Sequence, residues 1–496
     1  MPTGDFILAL DQGTTSSRAC LFDRAGRIVA HAQQEFTQHY PRPGWVEHDP
    51  DELWASCVAV IRSVVRQAKI RPTQLAGLGI TNQRETTIVW ERLTGRPVHQ
   101  AIVWQCRRTA EICRRLKARG LEPTFRRSTG LVLDAYFSGP KITWLLEYAP
   151  GLRARAEAGK LCFGTVDSWL LWQLTKGRVH ATDPTNASRT LLYNIRTLAW
   201  DPALLKILRV PAPMLPNVLP SSGEFGKTAS GVAGLPSGIP ITGVAGDQQA
   251  ALFGQRCTRT GEMKNTYGTG CFLLLHTGRR LVHSRHGLIT TVACDAHGRP
   301  AYALEGSVFI AGAGIQWLRD ALGLITQAAE TEAIAAALDD TQGVYVVPAF
   351  TGLGAPYWRP EARGLICGIT RGTTRAHLIR ATLEAIAYQT RDLVEAMQQD
   401  ARLKVRRLRV DGGACKNQFL IQFQSDLLNA EIIRPRLVET TVQGAAQLAG
   451  LGVGLWTPRQ LDRMSTVDRT FTPRMPATER ARLYRGWQQA VARTLA

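Results

Sequence analysis

The sequence predicts an α/β protein whose two similar domains face a shared cleft. The first observation is length, because 496 residues are too many for one hydrophobic core. The second is that an apolar strand ends in Asp-x-Gly in one half and in Asp-Gly-Gly in the other, as "LALDQG" and "LRVDGG". The third is the alternation of short apolar strands with amphipathic helices. We assign residues 1–254 to the first domain and 255–496 to the second.

The first domain begins with a predicted β-meander of three strands, "LALD", "SRACLFD" and "RIVAHAQ". A helix is predicted next, because Asp49 can cap its N-terminus, Pro50 suits its first turn and apolar residues then recur at helical spacing. The segments "LAGLGIT" and "AIVW" predict short buried strands. Together these elements indicate a sheet with a helix on one face.

The second domain follows a loop-rich segment and the predicted strand "ITGVAGD". The segment "EMKNTYGTGCFLLLHTG" predicts further strands, a helix is expected from about Ala313, and the strand "LRV" leads into "DGGACKNQF". One stretch of the loop, "GEFGKT", resembles a Walker phosphate loop. It has only two residues between its glycines, where that motif needs four, so we predict an exposed connection there.

Composition argues against several functional classes. No apolar stretch approaches the ~20 residues of a membrane span, and "FILAL" is too short for a signal peptide, so we predict a cytoplasmic protein without a membrane span. The ten cysteines show no CxxC pair and no metal-binding spacing, which indicates reduced thiols. The formal charge of +20 is compatible with binding to nucleic acid. The arginines are scattered along helices, however, so we expect no nucleic-acid partner.

Two strand ends carry candidate site residues, each with a plainer alternative. In "DQGTTSSR", backbone N–H groups of the turn can converge on a phosphate and Asp11 can hold magnesium through water, but an ordinary hairpin turn uses the same residues. Asp247 follows a strand, where it can be a general base at the mouth of a cleft or a helix N-cap. From these residues alone the cap is favoured.

Three further segments extend the candidate site. In "TNQRETTIVW", Arg84 and Glu85 fit either a surface ion pair or hydrogen bonds to a small polyol. Trp104 can be a side chain of the hydrophobic core or an aromatic ring on which a ligand packs. The turns in "NTYGTGCF" and "VDGGACKNQF" can let a phosphate approach the backbone. In combination, these features describe a nucleotide cleft with a phosphoryl acceptor beside it.

These motifs together resemble the FGGY carbohydrate kinases, within the superfamily of actin-like, sugar-kinase and Hsp70-type ATPases, over essentially the whole chain. The resemblance rests on "LALDQGTTSSR", "GITNQRETT", "AIVWQCRRT", "AGDQQAALFG", "KNTYGTGCF" and "DGGACKNQFLIQFQSD". "NQRET" with "WQCRR" is similar to the members that act on glycerol. The resemblance implies two actin-like (ribonuclease H-like) domains facing a central nucleotide and substrate cleft. It also implies ATP and Mg²⁺ as cofactors, glycerol as acceptor and a homodimer or homotetramer.

The resemblance also implies roles for individual residues. Asp247 would be the general base, Asp11 would help to hold magnesium, and Arg18 would bridge toward the transferred phosphoryl group. The ATP phosphates would be cradled by Thr14, Thr15 and Ser16. Glycerol would be bound by Arg84, Glu85, Trp104, Tyr136, Asp247, Gln248 and Phe272. The rest of the nucleotide would be bound by Thr269, Gly312, Gln316, Gly413 and Asn417.

The sequence departs from the family pattern at two places, and two alternative functions remain. Ala135 replaces the usual proline before Tyr136, so we expect a less rigid loop. The stretch "GEFGKTASGVAGLPSGIP" lacks the arginine and the histidine through which some bacterial relatives are controlled by a sugar bisphosphate or by phosphorylation, so we expect neither control. The alternatives are a kinase for another polyol or ketose, and a non-kinase ATPase, which would not need Arg84, Glu85 or Trp104 beside the nucleotide.

Overall fold

The computed structural model describes residues 4–359 and 361–496 and contains two large mixed β-sheets flanked by helices. This arrangement confirms the predicted α/β class. Within the described residues, no helix combines the length and the apolar character needed to cross a membrane.

The first sheet contains the predicted meander. Its six strands lie, from one edge to the other, in the order Ser222–Lys227, Pro240–Gly246, Leu75–Asn82, Phe6–Gln12, Ser16–Phe22 and Ile28–Glu35. The three N-terminal strands pair antiparallel, and Leu75–Asn82 pairs in parallel with both of its neighbours. The parallel strands therefore end at the same edge of the sheet as Asp11.

The second sheet has a related but not identical arrangement. Its seven strands lie in the order Ile289–Cys294, Pro300–Val308, Cys271–Gly278, Met263–Tyr267, Arg407–Asp411, Glu431–Pro435 and Val467–Phe471. It too joins antiparallel strands to two parallel strands and an antiparallel edge strand, but Cys271–Gly278 pairs with Pro300–Val308, and Ile289–Cys294 lies at the edge. The turns at residues 13–15 and 268–270 occupy equivalent positions, because each joins the first two strands of its domain, which pair antiparallel.

The first helix begins as predicted, with Asp49 at its N-cap accepting hydrogen bonds from the N–H groups of Asp51 and Glu52. The α-helices of the chain are Pro50–Ala68, Ala110–Ala118, Glu122–Thr129, Ser138–Tyr148, Leu152–Glu157, Val166–Leu174, Pro184–Ala187, Pro202–Leu208, Asp247–Gly254, Gly312–Asp320, Glu330–Ala336, Arg375–Ala401, Gln418–Leu428, Thr440–Gly452, Pro458–Met464 and Ala477–Leu495. Short two-stranded pairs join Glu47–His48 to Ala101–Ile102, Ile88–Glu91 to Leu161–Gly164, Tyr193–Asn194 to Ala199–Trp200, Asn217–Val218 to Ala181–Thr182, and Tyr345–Val347 to Leu365–Cys367.

One helix from the C-terminal half packs on the first sheet. Helix Thr440–Gly452 lies against helix Asp247–Gly254 so closely that a Cβ atom at Gly444 would overlap the backbone of Ala250. Thr242 on the first sheet donates a hydrogen bond to the carbonyl oxygen of Ala449 over 2.9 Å. The two halves of the molecule are therefore joined beside the strand that leads to Asp247.

The prediction of an exposed connection at "GEFGKT" is wrong. Residues Ser222–Lys227 form an edge strand that pairs antiparallel, with an irregular register, with Pro240–Gly246. Gly223 and Gly226 interrupt the alternation of apolar and polar residues by which a strand is recognised. The pairing partner and not the local sequence therefore defines this strand.

Candidate active site

The turn after the first strand presents unpaired backbone donors. The N–H of Gly13 donates to the carbonyl oxygen of Ser16 over 2.9 Å, which closes a hairpin turn. Within residues 4–359 and 361–496, the N–H groups of Thr14 and Thr15 have no hydrogen-bond partner. The indole N–H of Trp104 donates to Thr14 Oγ1 over 3.0 Å and supports the turn from the protein side. The turn is thus a hairpin whose remaining donors are available to an anion.

Asp11 and Arg18 lie opposite each other on the first two strands. Burial raises the pKa of Asp11 to about 7; Arg18 opposes this rise and the carboxylate of Asp247 adds to it. The Arg18 guanidinium donates to Gln33 Oε1 over 2.7 Å and forms an ion pair with Glu439. Gln33 and Glu439 therefore engage each of the three guanidinium nitrogens of Arg18 and leave two of its five N–H groups without a partner among the described residues.

The donor set near Asp11 fits magnesium. Asp11 and Asp247 are close enough for their like charges to interact, and carboxylate oxygens are ligands that Mg²⁺ prefers. No cluster of three or more potential ligands occurs among the described residues. This suits an ion that is held through one or two carboxylates and otherwise keeps water and substrate phosphate in its shell.

Arg84 and Glu85 are both buried, so the interpretation as a surface ion pair is wrong. Their exposed fractions are 3% and 1%. The distance from Arg84 Nε to Glu85 Oε1 is 3.9 Å, and each side chain has closer partners elsewhere. The two residues follow the central strand Leu75–Asn82, which brings the chain into the interior. Glu85 has a φ of +60°, an uncommon backbone conformation that is enriched at functional sites.

Arg84 directs its guanidinium group at two carboxylates. Its terminal nitrogens lie 2.7 and 3.1 Å from the two oxygens of Glu305, and its Nε lies 3.1 Å from Asp247 Oδ1. Gln249 Oε1 accepts a further bond from Nη1 over 3.2 Å. A guanidinium has five N–H donors. One N–H on Nη2 therefore has no partner among the described residues.

Glu85 pairs with Arg189, a residue that the sequence did not single out. Arg189 Nε donates to Glu85 Oε1 over 2.5 Å, and Arg189 Nη2 lies 3.1 Å from Glu305 Oε1. Both Arg189 and Glu305 are buried. A signal was present for Glu305, because "YALEGSV" places one charge inside an apolar strand.

Two aromatic rings lie next to the Thr14 turn. Trp104 and Tyr136 pack edge to face with ring centroids 5.4 Å apart. Lys141, which is fully buried, donates from Nζ to the carbonyl oxygens of Ala135, Tyr136 and Phe137 over 2.7, 2.5 and 3.1 Å. The loop that lacks the proline is therefore fixed by one ammonium group.

A buried lysine links Gln248 to the strand that pairs with the strand of Phe272. Lys264 Nζ donates to Gln248 Oε1 over 2.5 Å and to Thr266 Oγ1 over 2.7 Å. Phe272 is the cross-strand neighbour of Thr266 and is half-buried. Burial lowers the pKa of Lys264, while Asp411 and Asp247 act to raise it. The lysine thus connects the helix that starts at Asp247 with the second sheet.

Asp247 is not a helix cap, which corrects the favoured sequence interpretation. The N-cap of helix Asp247–Gly254 is Gly246, and Asp247 is the first helical residue. Its carboxylate accepts from the N–H of Gln248 and contacts Arg84, with 31% of the side chain exposed. The carboxylate is therefore partly open to a ligand and partly fixed by protein.

The five residues expected to bind the nucleotide line one cavity of about 520 Å³. The cavity lies beside the second sheet, and the residues are Thr269, Gly312, Gln316, Gly413 and Asn417. Tyr267 and Gly268, from the turn equivalent to the Thr14 turn, also line it. A Cβ atom at Gly312 would lie 2.6 Å from the carbonyl oxygen of Gly268, so only glycine permits this close approach.

Most of the chain matches known protein domains. Residues 6–254 match the N-terminal domain of the FGGY family of carbohydrate kinases, and residues 263–453 match its C-terminal domain. The chain belongs to this family. The resemblance inferred from the motifs is therefore confirmed.

Similar proteins of the FGGY family include glycerol kinases. The chain is 59% identical to the glycerol kinase of Shewanella oneidensis over 490 residues, and 58% identical to that of Shewanella amazonensis over 491 residues, with 99% of each chain covered in both comparisons. The crystal structure of Plasmodium falciparum glycerol kinase with ADP has a TM-score of 0.94 at 38% identity and covers 99% of this chain and 98% of its own.

A more distantly similar kinase shares the fold. The gluconate kinase of Lactobacillus acidophilus has a TM-score of 0.85 at 21% identity and covers 97% of this chain and 95% of its own. The predicted α/β fold with two actin-like domains is confirmed by these matches. The roles of the individual residues stay predictions.

Proposed function

We propose that this FGGY kinase transfers the γ-phosphoryl group of ATP to a terminal hydroxyl of glycerol, which yields ADP and sn-glycerol 3-phosphate. The relatives named glycerol kinase, at 58 to 59% identity over nearly the whole chain, support the substrate. The observation that carries the proposal is that the buried residues Arg84 and Glu85 lie beside Asp247, whose carboxylate is partly exposed. Together these residues offer one donor and two acceptors within a few ångströms, which suits neighbouring hydroxyls of a small polyol.

Asp247 is the proposed general base. Its carboxylate accepts the proton of the attacking hydroxyl as the oxygen forms a bond to the γ-phosphorus, while the bond from that phosphorus to the β–γ bridging oxygen breaks and ADP leaves. Arg84 holds the Asp247 carboxylate by an Nε contact of 3.1 Å and donates its remaining N–H to a hydroxyl. Trp104 and Tyr136 supply an apolar wall for the carbon chain.

ATP would bind between the two sheets. The N–H groups of Thr14 and Thr15, with the hydroxyl of Ser16, would bind the phosphates, and the cavity of about 520 Å³ would hold the nucleoside. Asp11 would hold Mg²⁺, which neutralises phosphate charge when it is bound. Arg18 would leave Gln33 and Glu439 to stabilise the charge on the transferred group.

Acceptor-dependent ATP turnover tests the proposal. Purified protein is assayed with ATP, Mg²⁺ and, in separate reactions, glycerol, xylulose, gluconate or no acceptor. We expect turnover with glycerol and kcat/KM at least about 100-fold lower with the other acceptors, because each lost hydrogen bond to a buried polar group costs about 1–3 kcal/mol. Preference for another acceptor would establish the first alternative function, and turnover independent of any acceptor would establish a non-kinase ATPase.

The same resemblance leads us to propose a homodimer or homotetramer in the cytoplasm. Light scattering of the purified chain tests the assembly, and a monomer at micromolar concentration would contradict it.

A further inference from the structure

A carboxylate of the second sheet is embedded in the candidate polyol site of the first. Glu305 lies within strand Pro300–Val308, but its side chain accepts from Arg84 over 2.7 and 3.1 Å and from Arg189 over 3.1 Å. Both arginines belong to the N-terminal FGGY domain, whereas Glu305 belongs to the C-terminal domain. An ionic cluster therefore bridges the two domains, and its members are Arg84, Arg189, Glu85, Asp247 and Glu305.

Glu305 is ionised within this cluster. Burial alone would raise its pKa, but the facing guanidinium groups of Arg189 and Arg84 lower the pKa to about 2. Without the carboxylate, the two buried guanidinium groups would share only Glu85, which is 2.5 Å from Arg189 Nε but 3.9 Å from Arg84 Nε, and this loss of negative charge is unfavourable. The orientation of both arginines therefore depends on Glu305.

Each arginine contacts Glu305 with its terminal nitrogens and contacts a candidate polyol-binding carboxylate with its Nε. Arg84 Nε lies 3.1 Å from Asp247, and Arg189 Nε lies 2.5 Å from Glu85. A bidentate contact to a carboxylate fixes the plane of a guanidinium group. The positions of Asp247 and Glu85 are consequently set by the same distant side chain.

We propose that Glu305 is a positioning residue, which acts through Arg84 and Arg189 to align Asp247 and Glu85 for the acceptor. This inference rests on the proposed function. The acceptor site, although its polar groups come from the N-terminal domain, is correctly arranged only when the strand that carries Glu305 is in place. Glu305 is buried behind both arginines and does not line the candidate nucleotide cavity, so we expect its effect to be on acceptor binding and not on ATP binding.

Replacement of Glu305 by glutamine tests the proposal through the Michaelis constants. Glutamine keeps the shape but puts an NH₂ donor where one arginine needs an acceptor. We expect the KM for glycerol to rise about tenfold or more and the KM for ATP to change less than about threefold. The matched control is Glu384→Gln, because Glu384 is a buried glutamate that pairs with Arg380 over 2.8 Å within helix Arg375–Ala401. This control should leave the ratio of the two constants unchanged.

A double variant separates positioning from general support of the fold. In an Arg84→Ala background, Glu305→Gln should add less than about half of its separate effect on the glycerol constant, because one of the groups through which it acts is gone. Fully additive effects, or equal increases of both Michaelis constants in Glu305→Gln, would overturn the proposal.

Two further measurements keep the test decisive. If Glu305→Gln does not fold, Glu305→Asp is used, which keeps the negative charge but has a side chain shorter by one methylene group. This variant should still raise the KM for glycerol and not the KM for ATP. An unchanged KM for glycerol would refute the positioning role. Wild-type turnover with the acceptor panel tests the proposed function independently. If another polyol is the preferred acceptor, the same comparison is made with that polyol, so failure of the two proposals can be distinguished.

Discussion

Replacement of Lys141 by methionine should weaken glycerol binding through the loop that carries Tyr136. The Lys141 ammonium donates to three successive carbonyl oxygens, of Ala135, Tyr136 and Phe137, at 2.5 to 3.1 Å. Methionine has a similar length and can fill the buried space, but it has no donor. The loop would keep its packing and lose the group that fixes its backbone.

The magnitude follows from the carbonyl groups that lose a donor. Each buried carbonyl oxygen left without a donor lowers the free energy of unfolding by about 1–3 kcal/mol. Part of this loss is offset, because the variant no longer has to remove an ammonium group from water when it folds. Burial lowers the pKa of Lys141 to about 8, which shows that this desolvation is substantial. We therefore expect the free energy of unfolding to fall by about 3 kcal/mol and the glycerol KM to rise about tenfold.

The wild-type protein should show a matching pH dependence. Below about pH 8 the ammonium of Lys141 serves all three carbonyl groups, whereas above it the neutral amine has only two N–H donors. The glycerol KM should therefore rise as pH increases from 7 to 9. The effect on stability has the opposite sign: the folded pKa is below the ordinary value of 10.5, so the unfolded chain binds more protons between these values and the free energy of unfolding rises with pH there.

Steady-state kinetics and urea unfolding measure these effects. The control is Lys206→Met, which changes an exposed lysine of the same domain and should alter neither quantity. In Lys141→Met the pH dependence of the glycerol KM between 7 and 9 should disappear. A destabilised variant with an unchanged glycerol KM would refute the reasoning, because the ammonium would then support the fold without positioning Tyr136.

Two other substitutions and the addition of one sugar bisphosphate have specific expected outcomes. Asp247→Asn should reduce turnover about 100-fold or more, as expected for a positioned general base, with little change in calorimetric binding of ATP or glycerol; near-normal turnover would exclude this role. Arg84→Ala should raise the glycerol KM about tenfold or more and leave the ATP constant nearly unchanged, since one hydroxyl and two carboxylates lose a donor; equal increases would assign Arg84 to the fold. Fructose 1,6-bisphosphate should not inhibit, because Gly238 offers no basic side chain, and clear inhibition in a dose–response assay would contradict this.

The sequence predicted those features that depend on neighbouring residues. The meander, the helix capped by Asp49 and the glycine-containing turns are local patterns, and all three are present. The environment of Arg84 and Glu85 could not be predicted in this way. The two residues lie in a bend after strand Leu75–Asn82, where Glu85 has a φ of +60°, and their charged partners come from distant parts of the chain. Glu305 lies 221 positions from Arg84, and Arg189 lies 104 positions from Glu85.

The buried cluster also bears on the choice between a kinase and an ATPase without an acceptor. Buried ion pairs give little or no net stability compared with apolar residues of similar volume, because desolvation offsets their attraction. The fold alone therefore does not explain why Arg84, Arg189, Glu85 and Glu305 occupy the interior between two apolar sheets. Donors and acceptors held in fixed directions are needed where a ligand with several hydroxyl groups must be oriented. An ATPase without an acceptor has no use for such groups beside Asp247, so the cluster favours a kinase that acts on a polyol.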